Sequence, residues 1–544
     1  MPKYTGDVIV EMLERAGIKH IWGITGDSAN FITEAVSKSN IQFMHVRHEE
    51  TGAFAAGAEA KASGKLSACI GSCGPGALHL LNGLYDANSN GAPVICLATH
   101  ILKNEIGFEY IQETDPKKLF STCSVFCEYV QSPMQLPRML ASAMQHAVSK
   151  RGVAVLIIPG DISSKIYDGG DYRQYQTFYP SPRIYPDKED LFKIAELINN
   201  SNSLAIIAGE GCKGAHDELI RLSQLRKAAV AWTYYGKQYV EYDNPFAVGI
   251  IGKMGTNSVN EAIRSCDLLL QLGANCSLEG YKINGKVLQI DTDAQNLGAD
   301  HFVDFAFEGN IKETLTRVLP LINEQTSTCY IQEVLMPYEN KCRQYEELYS
   351  KKVTSENEIY SEYLFSLIDK RSSDEAVFCA DTGSALVLMQ RHIHASESRM
   401  FFQSARWGSM GNAMPTALGI KAAFPEKQVI ALCGDGGLSA LLGDLITAIQ
   451  MKLPVKIVLL NNGKLDLTGL QFFVQNLNPA CIDLKSTDYA GIAAAIGFAS
   501  YKVSHAGELE SAIDRWLDQN EPAFLDVKVA SITNLHNGFI KNKL

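Results

Sequence analysis

Residues 429–437, VIALCGDGG, and residues 456–463, KIVLLNNG, are two apolar runs that each end in a short glycine-rich polar cluster. Between them Leu438, Leu441, Leu442, Leu445, Ile446 and Ile449 recur at helical spacing, which predicts one apolar helix face. The stretch therefore reads as a single strand–helix–strand unit of a parallel sheet. Both polar clusters fall at the carboxyl ends of their strands, the edge at which open α/β sheets bind ligands.

The same reading extends outward in both directions. Near the start, apolar strands over 18–24, 41–46, 66–71 and 93–98 alternate with helices, one of them from about Glu49 to Ala62. Residues 166–186 are rich in Gly, Pro and Tyr without helical period and read as a linker laid over the surface. A second α/β block follows over 187–323, with strands at 204–208, 268–272 and 287–290, and a polar helical connection over 324–357 leads to the third. The expected fold is α/β: three doubly wound parallel-sheet domains, over 1–165, 187–323 and 358–544.

Composition excludes several classes. A chain of 544 residues is too long for one core. With 46% hydrophobic and 20% charged residues it is not expected to be disordered. The net charge of −11, without any Lys/Arg run, argues against nucleic acid as a partner. Thirteen cysteines without a repeated CxxC pair read as reduced thiols in a cytosolic protein. The opening, MPKYTGDVIVEMLERAG, reads as an amphipathic helix rather than a signal peptide. No apolar run approaches the roughly 20 residues that span a bilayer. A cytoplasmic location without a strong membrane anchor is the expectation.

Asp435 and Asn462 lie 27 positions apart, one strand–helix–strand excursion. A carboxylate and an amide oxygen are hard ligands suited to Mg²⁺. Glycines let backbone amides approach a phosphate, and a helix start favours negative charge. Either cluster alone is also an ordinary turn at a strand end. The pair at this spacing favours a metal-bound diphosphate.

GDG, an intervening helix and then NN resembles the fingerprint of the thiamine-diphosphate enzymes. The resemblance implies that Asp435, the Asn462 side chain and the Lys464 carbonyl hold Mg²⁺, with Gly436, Gly437, Leu465 and Asp466 beside the thiamine diphosphate. In FMHVRHEETGAFAAGAEA the glutamate after Arg-His is Glu49, which would hydrogen-bond the aminopyrimidine ring and activate the cofactor; taken alone it is an ordinary first-turn glutamate. RWGSMGNAMPTALG resembles the loop that bends the cofactor, with Met410 as the wedge, Gly408 offering its carbonyl and Ser409 between them. Asp381–Thr382–Gly383–Ser384 resembles a second turn on the diphosphate, through Gly383 and Ser384. The family places Glu49 and Asp435 in different domains that meet across a subunit interface, which implies a homodimer or homotetramer.

WGITGDS, GSCGPGALHLLNGLYDA and EIGFEYIQET are most similar to the pyruvate-oxidase branch, including its quinone-linked dehydrogenases. That branch implies FAD in the second block, at Ile251, Gly252, Lys253, Met254, Ala274, Asn275, Cys276, Ser277, Leu278 and Asp291. The GxGxxG of residues 209–214 adds only weak support. His79 and Gln112 match polar residues facing the reaction centre, there to bind a substrate carboxylate and manage protons. Four features depart from the branch. Leu467 replaces the aromatic of a Gly-Phe pair, Ile111 replaces an aromatic before Gln112, Gly309–Asn310 stands where Gly-Asp is usual, and the tail from Ser531 is short and polar for a lipid anchor. Asp466 is expected to add a carboxylate at the reaction centre that repels a second anion.

Two outcomes stay open. One is pyruvate-oxidase-like decarboxylation of a 2-oxo acid, pyruvate first, with electrons passing to FAD and then to a quinone or O₂. The other is a non-oxidative, acetolactate-synthase-like decarboxylase or carboligase with structural or absent FAD. A cofactor-binding protein without turnover is a third class, against which the intact Glu49, Asp435, Asn462 and Met410 argue.

Overall fold

The computed structural model describes residues 3–252, 255–354 and 357–531. It contains three six-stranded parallel sheets flanked by helices. The first sheet uses β1 (His20–Gly23), β2 (Gln42–His45), β3 (Ser67–Gly71), β4 (Val94–His100), β5 (Phe126–Tyr129) and β6 (Val153–Pro159), in the order β2-β1-β3-β4-β6-β5. The second uses β7 (Leu204–Ala208), β8 (Ala229–Trp232), β9 (Ala247–Ile250), β10 (Leu268–Leu272), β11 (Lys286–Asp291) and β12 (Phe305–Glu308), in the order β12-β11-β10-β7-β8-β9. The third uses β13 (Val377–Ala380), β14 (Met400–Gln403), β15 (Val429–Gly434), β16 (Lys456–Asn461), β17 (Ala499–Val503) and β18 (Ala523–Lys528), in the order β14-β13-β15-β16-β18-β17. The fold is thus the expected doubly wound α/β architecture, three times over.

The central strands are apolar because helices cover both of their faces. Every residue of β4 and β6 is buried, as a two-sided parallel sheet requires. Strands at the sheet edges, such as β5 and β12, carry polar or half-exposed side chains and lack the continuous apolar signature that sequence reading relies on. One buried charge is satisfied within the first sheet: Glu59 accepts from Trp22 Nε1 at 2.8 Å and Ser67 Oγ at 2.9 Å, and meets His20 Nδ1 at 2.7 Å.

The chain divides into two compact units. One comprises residues 1–180, 377–386 and 402–544, and so holds the first sheet and most of the third; the other comprises residues 181–376 and 387–401. Within the first unit, the Glu49–Ser63 helix lies against the Ala413–Ala423 helix. Small residues permit this: a Cβ on Gly419 would come within 2.1 Å of the Ala55 carbonyl oxygen. Within the second unit, Arg399 donates to Asp369 at 2.6 Å and to the Ser372 and Ser373 carbonyls, fastening segment 387–401 to the Ser361–Arg371 helix.

Two local expectations change. The helix after GDGG is not continuous: it runs Asp435–Ala440, turns through Leu442–Asp444 and resumes at Leu445–Gln450. Asp444 causes the break, because its carboxylate accepts from the Arg47 N–H at 2.7 Å and the Thr447 hydroxyl at 2.8 Å. The expected apolar stripe is therefore interrupted, and Ile446 is exposed. The 166–186 linker does run irregularly, but it is pinned, since Tyr172 is buried and hydrogen-bonded to Lys3 and Glu11.

Candidate active site

The amino-terminal half of the site is built on one helix start. His48 precedes the Glu49–Ser63 helix and its Nδ1 accepts from the Glu50 N–H at 3.3 Å. Glu49 then opens the helix almost fully buried, 6% exposed, with Oε2 at 2.9 Å from His79 Nδ1. His79 stacks on His48 with ring centroids 4.5 Å apart. The other oxygen, Oε1, lies 3.0 Å from where a Gly76 Cβ would stand, so a side chain at that position would press on the carboxylate. Gln112 packs on the same turn: a Cβ on Gly74 would meet it at 2.7 Å, and its Oε1 accepts from Cys73 Sγ at 3.0 Å. Glu49, His79 and Gln112 thus bracket the Gly74–His79 turn, and Ile111 beside them is exposed.

The carboxyl-terminal half sits at the ends of β15 and β16. Asp435 Oδ1 accepts from the Gly436 N–H at 2.9 Å and Oδ2 from the Gly463 N–H at 2.7 Å. Burial pushes its carboxyl above the ordinary range, with the Asp466 carboxylate adding to the effect. Among the described residues no Lys or Arg pairs with it, so a buried anion is left for a cation to balance. Asn462 Oδ1 accepts from the Lys464 N–H at 3.0 Å, and Leu465 lies over Gly436. Asp466 is a correction. Its carboxylate does not project into the site as a repelling charge; it is 4% exposed and bonded to Asn462 and Ser531.

Space for a ligand opens at the same edge. A Cβ on Gly434, Gly383 or Gly408 would meet nothing within 4 Å, and Gly383 and Gly408 hold φ of +132° and +79°, which other residues rarely adopt. Thr382 Oγ1 is buried with no hydrogen-bond partner, as is Asn412 Oδ1. The unpartnered Thr382 hydroxyl, next to the open Gly383, is a donor that fits a diphosphate oxygen, and Asp435 with the Asn462 amide and Lys464 backbone fits its Mg²⁺. Asp381 does something the sequence did not suggest. Fully buried, it accepts from the Asn412 N–H at 3.1 Å, and its Oδ2 stands 1.6 Å from where a Gly437 Cβ would be. Burial raises its carboxyl to about 7 against bonds from Asn412, Gly411, Ala413 and Thr382. It ties the end of β13, the Met410 loop and the GDGG helix together.

The Ser404–Met410 loop is held by the amino-terminal half of the same chain. Asn82 Nδ2 donates to Ser409 Oγ at 2.9 Å and to Glu50 Oε1 at 2.7 Å, while its Oδ1 accepts from Trp407 Nε1 at 2.7 Å. Trp407 stacks on Tyr85 with centroids 4.5 Å apart, and Ser404 Oγ donates to Asp86. Met410 itself is 43% exposed. None of Asn82, Asp86 and Ser404 is legible as a site residue in the sequence, because each acts on a segment that folding alone brings near. Among the described residues no hydrogen bond joins Glu49 or His79 to Gly408, Met410, Asp435 or Asn462.

In the second unit, the expected flavin residues gather at the carboxyl edge of β9, β10 and β11. Ile251, Ala274 and Leu278 are buried. Asn275 donates to Asn296 at 3.0 Å, the Ser277 hydroxyl accepts from the Glu279 N–H at 3.1 Å, and Cys276 is half-buried. The Gly252 N–H donates to the Tyr281 hydroxyl at 2.9 Å, while Lys253 and Met254 lie outside the described residues. Asp291 Oδ1 accepts from the Asp293 N–H and from Asn296, which leaves Oδ2 for a ribose hydroxyl. The donor set fits a dinucleotide in that respect. In the GxGxxG stretch, Gly209 and Gly211 pack on Gly273, where a Cβ would come within 2.2 and 2.7 Å. Asn310, at the Gly-Asp departure, caps the Ile311–Val318 helix by accepting from Glu313 N–H at 3.1 Å, the work an aspartate would do.

Three family models cover most of the chain. They are the N-terminal TPP binding domain, the central domain and the C-terminal TPP binding domain of the thiamine pyrophosphate enzymes, over residues 3–119, 191–318 and 381–527. YdaP of Bacillus subtilis, whose name describes it provisionally as thiamine pyrophosphate-containing, is 33% identical over 97% of this chain and 92% of its own length. Pyruvate oxidase of Lactiplantibacillus plantarum is 29% identical over 96% of this chain and 88% of its own. Acetolactate synthase isozyme 2 large subunit of Escherichia coli is 26% identical over 97% and 96%. With the GDGG and NNG turns set side by side at one sheet edge and all three domains matched in order, the chain belongs to the thiamine pyrophosphate enzymes, close to pyruvate oxidase.

Proposed function

We propose that this protein is a thiamine-diphosphate- and Mg²⁺-dependent enzyme that decarboxylates a 2-oxo acid, pyruvate first, with electrons passing to FAD and then to a quinone or O₂. The observation that supports the reading most is Asp435, a buried carboxylate held by two backbone N–H groups at an open strand edge. Asp435, Asn462 and the Lys464 carbonyl hold the metal; Gly383, Ser384, Gly436 and Gly437 line the diphosphate, and Gly408, Ser409 and Met410 its bend. Ile251, Gly252, Ala274–Leu278 and Asp291 hold the flavin. Domain bounds of 1–165, 187–323 and 358–544, a cytoplasmic location and a homodimer or homotetramer with shared sites belong to the same reading.

Thiamine diphosphate held by Gly383, Ser384, Gly408, Ser409, Met410, Gly436 and Gly437 would supply a carbon nucleophile and an electron sink for decarboxylation. Bound FAD supplies a two-electron acceptor. The chain's own groups do the rest. Glu49 is the acid–base group: His79 steadies Oε2, and Oε1 takes and returns a proton. His79 and Gln112 bracket the turn that receives the substrate carboxylate.

A second reading, non-oxidative decarboxylation or carboligation in the manner of acetolactate synthase, is favoured by Leu467 and Ile111, which put aliphatic side chains where the oxidases carry rings. One experiment separates the two. The absorption spectrum of the purified protein is recorded with thiamine diphosphate and Mg²⁺ before and after pyruvate, with CO₂ release followed in parallel. A flavin band that bleaches supports the oxidase reading, and CO₂ release without bleaching supports the second. No CO₂ from any 2-oxo acid overturns both.

A further inference from the structure

Asp466 opens the Asp466–Val474 helix four residues after Asn462. Its Oδ2 accepts from Asn462 Nδ2 at 2.9 Å. Its Oδ1 accepts from the hydroxyl of Ser531, which lies three residues beyond β18. Asp466 and Ser531 are each 4% exposed. A carboxylate accepts hydrogen bonds and donates none, so only the NH₂ end of the Asn462 amide can face it. The amide oxygen is thereby turned away, to the side where it accepts from the Lys464 N–H. With a hydroxyl or water at position 466, either end of the amide would be satisfied. Only one orientation presents oxygen to a cation; the other presents N–H hydrogens, which repel it. Ser531 occupies the second carboxylate oxygen and so stops Asp466 from swinging into the site as a ligand itself.

We propose that Asp466, backed by Ser531, is the positioning residue of the metal centre: it fixes the Asn462 amide with its oxygen outward and adds a buried negative charge that strengthens divalent-cation binding. The inference rests on the reading of Asp435 and Asn462 as Mg²⁺ ligands. It also makes the segment after β18 part of the metal site, through a hydroxyl 69 positions from Asn462.

The test titrates Mn²⁺ into the full chain at saturating thiamine diphosphate, reading free Mn²⁺ by electron paramagnetic resonance, with the melting temperature of each metal-free protein measured alongside. Asp466→Ala is expected to raise the Mn²⁺ Kd by roughly tenfold to a hundredfold, the range for groups that orient a metal ligand. Asp466→Asn keeps an acceptor for the Asn462 amide and loses the charge, so its rise is smaller. Ser531→Ala falls between Asp466→Asn and the wild type. A purely structural role would lower the melting temperature and leave Kd unchanged in the folded protein; that result overturns the inference. Should Asp466→Ala fail to fold, an unchanged Kd in both Asp466→Asn and Ser531→Ala overturns it equally. A wild-type chain that binds no Mn²⁺ with thiamine diphosphate instead sinks the metal reading beneath it.

Discussion

Ser404 donates its hydroxyl to Asp86, 318 positions earlier in the chain, and the same oxygen accepts from the Gly408 and Ser409 N–H groups at 3.1 Å each. One hydroxyl thereby links a carboxylate of the amino-terminal domain to the turn that carries Met410. Burial pushes the Asp86 carboxyl up to about 6, against the opposing bonds from Ser404 and Asn90.

This predicts a pH-dependent cost for Ser404→Ala. Because Asp86 is raised in the folded chain from 3.8, its stabilising contribution is fully present below that value and is lost as pH rises through about 6. Removing the Ser404 donor leaves the ionised form poorly satisfied, so the deficit against wild type should grow with pH, to roughly 1–3 kcal/mol when Asp86 is charged. Urea midpoints measured either side of the Asp86 transition check it. An equal deficit on both sides counts against the linkage.

Asn82→Ala should loosen the Met410 loop in a way fluorescence can see. Trp22, Trp232 and Trp516 are fully buried, whereas Trp407 is 42% exposed and bonded to Asn82. Loss of that bond and of those to Ser409 and Glu50 should red-shift the emission and weaken thiamine-diphosphate binding by roughly 1–3 kcal/mol. Unchanged emission together with unchanged affinity would show that the loop is held by other contacts.

Gly434 and Gly437 should separate ligand space from packing space. Gly434 has φ −86° and open surroundings, so Gly434→Ala should leave the apo melting temperature unchanged and still weaken cofactor binding. Gly437→Ala drives a methyl into the Asp381 carboxylate and should destabilise the apo protein by roughly 1–3 kcal/mol or more. Thermal melts with and without thiamine diphosphate distinguish them; equal effects in the two variants would refute the assignment.

Glu49→Gln should lower turnover by roughly a hundredfold to ten-thousandfold while leaving thiamine-diphosphate affinity largely intact. The amide can still accept at one atom but cannot take a proton. His79→Ala, which removes the 2.9 Å partner of Oε2 and the stack on His48 but leaves the carboxylate, should cost less than Glu49→Gln. Steady-state kinetics beside a binding titration check both, and full turnover by Glu49→Gln would remove the acid–base role.

Much of this protein was legible before folding was considered. Apolar runs ending in GDGG and NNG are local, and a central parallel strand needs apolar residues on both faces, so β15, β16, β7 and β10 were readable nearly to the residue. Edge strands such as β5 and β12 were not, because one side of each is open and the apolar pattern thins out. The apolar spacing after GDGG is continuous and predicts an unbroken helix; the break at Leu442–Asp444 comes from Arg47, almost 400 positions away. The sequence by itself determined the fold class and the family and singled out the residues proposed to meet a metal diphosphate, since those readings depend on neighbours in the chain. Only the tertiary structure decided what Asp466 does. A carboxylate next to a metal site reads as a free charge until folding brings Ser531 to one oxygen and the Asn462 amide to the other, because a hydrogen bond depends on where its partner comes to rest in space.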